Sequence, residues 1–228
     1  VTFDMKVQSA EVDIHSSFGG VIDSSAWYLI NALTSLRGKD GRILVEGIYD
    51  QVIEPNERES ALVEEFARRR PEELKEIYGL ELPLLEEEQS KFLRRYFFEP
   101  ALNIEGISSG YQGQGVKTII PSQAQAKLEV RLVPGLEPQD VLEKIRQQLI
   151  KNGYPKVELT YTLGEMSYRS DMSSPSVLNV IELAKKYYRE GVAVLPTSAG
   201  TGPMHIVYDA LQVPMMSFGL GHANSRDH

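Results

Sequence analysis

The chain has 228 residues, enough for one large domain or two small ones, and its 42% hydrophobic and 25% charged residues are an ordinary globular balance. Its net charge of -8 argues against nonspecific binding to nucleic acid or anionic membrane, and no apolar run approaches the roughly 20 residues that cross a bilayer. With no cysteine there are no disulfides or thiolate metal sites, so any metal must be held by His, Asp or Glu. A cytoplasmic setting fits, with no signal-peptide pattern at Val1 to Lys6.

Residues 1–15 read as a strand, because Ala10, Val12 and Ile14 alternate with Glu11, Asp13 and His15, placing His15 at a strand end on the polar side. Gly19-Gly20 is a turn. Asp23, Ser24 and Ser25 open an amphipathic helix with Ala26, Ile30 and Leu33 on one face, ending near Gly38. Residues 42–49 form a candidate strand. The stretch 57–98 is rich in Glu, Arg and Leu and reads as two or three short helices, broken at Arg70-Pro71 and Leu82-Pro83. Glu86, Glu87 and Glu88 are a solvated helix face.

Strand signals resume at 101–107. The glycine-rich segment from Ser108 to Gly115 follows and reads as a flexible turn, without the strand-to-helix context of a phosphate loop. A long strand from Lys117 to Val133 alternates through Ala124, Ala126, Leu128, Val130 and Leu132, with Gln125, Lys127, Glu129 and Arg131 on its other face. A helix from about Pro138 to Asn152 carries Val141, Ile145 and Leu149, and a strand runs from Val157 to Leu163. This succession predicts an α+β sandwich, with helices on one face of an antiparallel sheet.

From residue 170 the pattern changes. Ser174 caps a helix with Pro175 at its first position and Val177, Ile181, Ala184 and Tyr188 along one side. A short strand 193–196, a glycine loop 197–202, a helix 203–211 and a final strand 213–218 follow. Two strands and two helices in some 60 residues bury too little to form a core of their own. The ending, Gly219 to His228, reads as an active-site loop that stops midway. The expectation is a piece of a larger enzyme, with roughly 180 or more residues upstream at typical domain size.

Chemistry-bearing residues are few. The four histidines are His15, His205, His222 and His228. His205 falls inside a helix and reads as structural. Six residues in a loop fix no geometry between His222 and His228, and there is no His-x-x-x-His pair. Gly106-Ile107-Ser108-Ser109-Gly110 has the letters of a nucleophile elbow, but glycines and another strand follow where an elbow needs a helix. On these residues alone no reaction stands out.

Several segments nevertheless share one resemblance. Asp13-Ile14-His15-Ser16 with Phe18-Gly19-Gly20, Lys117-Thr118-Ile119-Ile120-Pro121, Val130-Arg131-Leu132-Val133-Pro134-Gly135, Gly200-Thr201-Gly202-Pro203 and Ser225-Arg226-Asp227-His228 are similar to motifs of the dinuclear-metal M20 peptidase family. That family includes carnosinase-like dipeptidases, aminoacylases and amino-acid deacetylases. The resemblance implies a ferredoxin-like α+β lid or dimerisation domain over 1–168 with a helical insertion at 57–98. Residues 169–228 would be an incomplete C-terminal part of an α/β catalytic domain.

The resemblance also implies roles. His15 and Thr118 would reach across a homodimer interface into the partner's active site, His15 donating to the oxyanion of the tetrahedral intermediate. Arg131 would take the substrate's terminal carboxylate in its planar fork. Thr201 and its glycine neighbours would hold the same end, and His228 would ligate one of two divalent ions, zinc first and manganese or cobalt as alternatives. His222 stays open as the ligand in its place. The expected activity is metal-dependent hydrolysis of dipeptides or N-acyl amino acids, and Lys117-Thr118 favours the dipeptidase branch. One departure is that the family's His-x-Asp and paired Glu-Glu elements are missing, so the isolated chain is expected to be inactive. The other is that the His15 motif is one residue shorter than the dipeptidase form. The rival expectation is a noncatalytic dimerisation or binding module that has lost its metal site.

Overall fold

The computed structural model describes residues 1–69, 81, 89–188, 191–200 and 202–217. The chain divides into two compact units, one made of 1–52 with 100–166 and the other of 53–99 with 167–228. The helical stretch, expected as an insertion in the lid, therefore groups with the C-terminal segment.

The first unit is built on β1 (Thr2–Gln8), β2 (Ile14–His15), α1 (Ser25–Thr34), β3 (Ala101–Ser109), β4 (Ile119–Ile120), β5 (Gln123–Arg131), α4 (Pro138–Lys151) and β6 (Glu158–Leu163). Four strands form an antiparallel sheet in the order β3-β5-β1-β6, and β2 pairs with β4 in a separate two-stranded ladder. The alternation expected for β5 buries Ala124, Ala126, Leu128 and Val130, and β1 presents Phe3, Met5 and Val7 to the same side. Register sets large against small, with Met5 opposite Ala126 and Val7 opposite Ala124. Leu29, Ala32 and Leu33 of α1 and Val141, Leu142, Ile145 and Leu149 of α4 complete this core. Each such fully buried aliphatic side chain contributes about 1.5–3 kcal/mol.

Four sequence expectations are corrected here. The first strand stops at Gln8, and Val12 is 69% exposed, because the chain leaves the main sheet before reaching the β2 ladder. The long strand 117–133 is two strands, since Pro121 has no N–H for the ladder and its carbonyl accepts from the Ser25 hydroxyl at 2.8 Å. The α1 core face runs through Leu29, Ala32 and Leu33 rather than Ala26 and Ile30. Residues 42–49 make no strand beyond one bridge from Arg37 to Ile43. Their amides go elsewhere: Ile43 N–H to the Tyr49 hydroxyl and Glu46 N–H to Gln148 Oε1, both at 3.0 Å, while Ile43, Val45 and Ile48 are buried without a sheet.

The second unit contains α2 (Glu57–Arg69), α3 (Gln89–Phe98), α5 (Pro175–Tyr187) and α6 (Met204–Leu211). Val63, Leu93, Phe97 and Phe98 form its apolar cluster between α2 and α3. The Ser174 side chain makes no capping bond and instead lies 3.0 Å from the Ser176 hydroxyl. Among the described residues of this unit there is no strand, so the strand expected at 193–196 and the described part, 213–217, of the one expected at 213–218 pair with nothing here. An unpaired strand in an α/β layer needs a neighbour to satisfy its backbone. The Ser170 hydroxyl ties the chain at Met215 instead, donating to its carbonyl at 2.7 Å and accepting from its N–H at 3.0 Å.

Candidate functional site

His15 ends β2 and caps the 3-10 turn Ser16–Phe18. Its Nδ1 accepts from the Ser17 N–H at 3.2 Å and lies 3.0 Å from the Ser17 hydroxyl. A ring nitrogen that accepts from a backbone amide carries no proton, so the neutral ring is protonated at Nε2. Among the described residues Nε2 has no partner, which leaves an N–H donor on an exposed side chain.

The β2–β4 ladder places Thr118 beside His15: His15 is opposite Ile119, and the Thr118 carbonyl accepts from the Ser16 N–H at 3.1 Å. Two-residue strands hold weakly by themselves. Asp13 adds a tie, because its Oδ1 accepts from both the N–H and the hydroxyl of Ser122 at 3.0 Å. The bond from the Ser122 backbone, followed by the one from its hydroxyl, holds the Asp13 carboxyl below its ordinary value. Asp13 stood in the sequence motif without a role. Its partner is 109 residues away, so no local signal could have identified it.

Arg131 ends β5 and is half-buried, its Nη1 2.7 Å from Glu129 Oε1. The two share one face of the strand, as period two requires, so Glu129 orients the guanidinium. Alternation along 125–131 carried that signal. Gln123 to Arg131 is eight steps of strand, about 26 Å; the His15 segment is tied at Ser122, just before the start of β5, through Asp13, while Arg131 is the last residue of β5. The fold therefore brings His15 and Thr118 together and keeps Arg131 apart from both.

Thr201, His222 and His228 lie outside the described residues. His205 is on α6, its Nε2 3.3 Å from Asp209 one turn on, as the structural reading expects. Ser108 is a ladder residue of β3 opposite Gln125 and followed by loop, which removes the nucleophile-elbow pattern. Among the described residues no group of three His, Asp or Glu could hold a metal ion, and no helix is long and apolar enough to cross a membrane.

Comparison with known proteins gives the family. The chain is 25% identical over 244 residues to the Beta-Ala-His dipeptidase of Rattus norvegicus, covering 99% of this chain and 47% of the relative. It is 29% identical over 150 residues to the Cys-Gly metallodipeptidase dug1 of Schizosaccharomyces pombe, covering 65% of this chain and 31% of that protein. The structure of the M20 family metallo-carboxypeptidase Sso-CP2 from Sulfolobus solfataricus superposes with a TM-score of 0.84 at 33% identity, over 93% of this chain and 48% of that one. The chain spans about half the length of the rat relative it matches. Residues 3–157 match the model of the M20 peptidase dimerisation domain, an α+β domain with a small antiparallel sheet, and the chain belongs to that family.

Proposed function

We propose that this chain forms the lid and part of the catalytic domain of a metal-dependent dipeptidase that works as a homodimer. Reading the first unit as a ferredoxin-like lid is supported by its four-stranded antiparallel sheet, order β3-β5-β1-β6, with α1 between β1 and β3 and α4 between β5 and β6. The observation that carries the reading is the separation along β5. A dipeptide spans only about 7 Å, so one copy cannot apply both His15 and Arg131 to one substrate. Two copies related by a two-fold axis can, one giving His15 and Thr118 and the other Arg131. Exposed Phe18, Val21 and Trp27, following His15 in the chain, supply apolar surface for such an association.

In this reading the Nε2–H of His15 donates to the oxyanion that forms when the scissile carbonyl is attacked. A donor of this kind lowers the barrier by about 3 kcal/mol. Thr118 sits beside it to position the same region of the substrate, and Arg131, oriented by Glu129, binds the terminal carboxylate. Thr201 and His228 keep their proposed roles in substrate and metal binding. The divalent ions, two of them and zinc first, need ligands beyond the described residues.

Mixing two inactive full-length variants tests the shared site. His15→Ala and Arg131→Met are each expected to lower dipeptide hydrolysis at least about 100-fold. Subunit exchange between them restores about a quarter of wild-type activity, because each mixed dimer rebuilds one intact site. No recovery, with exchange verified by light scattering on tagged subunits, would place both residues in one copy's site and refute the cross-subunit reading. A metal-loaded wild type that hydrolyses no dipeptide or N-acyl amino acid would instead favour the noncatalytic dimerisation module.

A further inference from the structure

The chain passes between its two units three times, at 52/53, 99/100 and 166/167. Arg169 stands just inside the last crossing, and its guanidinium reaches residues at the other two. Its Nη2 donates to the carbonyls of Ile53 at 3.0 Å and Glu54 at 3.2 Å. Its Cζ lies 5.2 Å from the centre of the Phe98 ring, one residue before Glu99. Its Nε is 3.1 Å from Glu59 Oε1, and the two side chains are only 7% and 5% exposed.

Glu59 is itself held. Its Oε2 accepts from the Asn56 N–H at 2.9 Å, while Asn56 Oδ1 accepts from the Glu59 N–H at 2.9 Å. That reciprocal pair is a capping box at the start of α2, so the carboxylate cannot swing to follow a moving partner. The remaining nitrogen of Arg169, Nη1, is buried with no hydrogen-bond partner among the described residues. A buried ion pair with an orphaned donor is a poor device for stability, since an apolar side chain of similar volume would avoid both desolvation costs. It is a good device for geometry. One planar group with fixed donor directions touches all three places where the chain enters this unit.

We propose that Arg169 is a positioning residue that gathers the three crossings into one stem. The chain enters and leaves the unit bearing His15, Thr118 and Arg131 at these crossings. Arg169 thus sets how far each connection is free to move independently. The proposal concerns backbone freedom at 53–54, 98–99 and 167–169 and needs no substrate, so it stands or falls separately from the dipeptidase reading.

Hydrogen exchange read by mass spectrometry tests it on the full chain. The double variant Arg169→Met with Glu59→Gln removes both charges together. Gln keeps the capping box, and Met keeps packing on Phe98. The melting temperature is expected to stay at or above that of the wild type. Amides in 53–58, 95–99 and 167–171 are nevertheless expected to exchange together, at least about tenfold faster, while α4 and α5 keep their rates. Val63→Ala, in the apolar cluster of the same unit, is expected to speed α2 and α3 throughout without singling out the stems. Wild-type exchange at 53–58 and 95–99 in the double variant would overturn the proposal. So would a Val63→Ala pattern indistinguishable from it. Should the double variant fail to fold, Arg169→Lys retains the charge and loses the fork, and the same two readings apply.

Discussion

Leu128→Ala tests whether β5 is the mechanical spine of the sheet unit. Leu128 is 0% exposed, at the centre of the strand, opposite Phe3 of β1 and Ile104 of β3. The substitution removes three carbons, worth about 2.4 kcal/mol at roughly 0.8 per methylene. The cavity left behind adds to this. Phe3 is held on its strand by the β1 ladder, and the neighbouring Ala124 and Ala126 are too small to fill the space, so little collapse is expected. The total is about 3–4 kcal/mol, within the range known for Leu→Ala in cores. That is a large part of a domain stability of about 5–15 kcal/mol. Leu163→Ala at the end of β6, where the side chain is 59% exposed, is the comparison and should cost no more than about 0.5 kcal/mol. Urea unfolding followed at Trp27, the single tryptophan, reports this unit because α1 belongs to it. The expected result is a lower midpoint with an unchanged slope. A loss for Leu128→Ala below about 1 kcal/mol, or equal to that of Leu163→Ala, would refute the assignment of β5 as the packed centre.

Two further outcomes concern the tie beneath His15. The Asp13 carboxyl is held below its ordinary value of 3.8, so the stabilisation from its bonds to Ser122 is present above that value and fades as pH falls through the lowered one. An NMR titration of Asp13 should move up toward the ordinary value in Ser122→Ala, and an unmoved titration would show that Ser122 is not the cause. At Gly110, φ is +66° and an added Cβ would lie 2.9 Å from Pro121 Cγ. Gly110→Ala should therefore cost about 1 kcal/mol or more. Gly106→Ala, where a Cβ meets nothing within 4 Å, should cost less, and thermal melts giving the reverse order would contradict the turn geometry.

What the sequence determined on its own is local. Period-two alternation from Ala124 to Val130 and the apolar spacing of Val141, Ile145 and Leu149 specify β5 and α4, because each pattern matches the period of its element and has one face to bury. The motifs around His15, Thr118 and Arg131 were legible as well, and with them the family. The same logic failed where burial came from elsewhere. Val12 alternates correctly but lies past the edge of the main sheet. Ile43, Val45 and Ile48 are buried in the shared core without a ladder of their own, while side chains accept from the Ile43 and Glu46 amides. Only the tertiary structure decided which distant residues meet. Asp13 with Ser122 and Glu59 with Arg169 join across more than a hundred residues. The Nε2 tautomer of His15 follows from where Ser17 sits, and the distance between His15 and Arg131 from the length of β5. Pairings of that kind depend on strand register and chain crossings, which periodicity, being a property of near neighbours, does not encode.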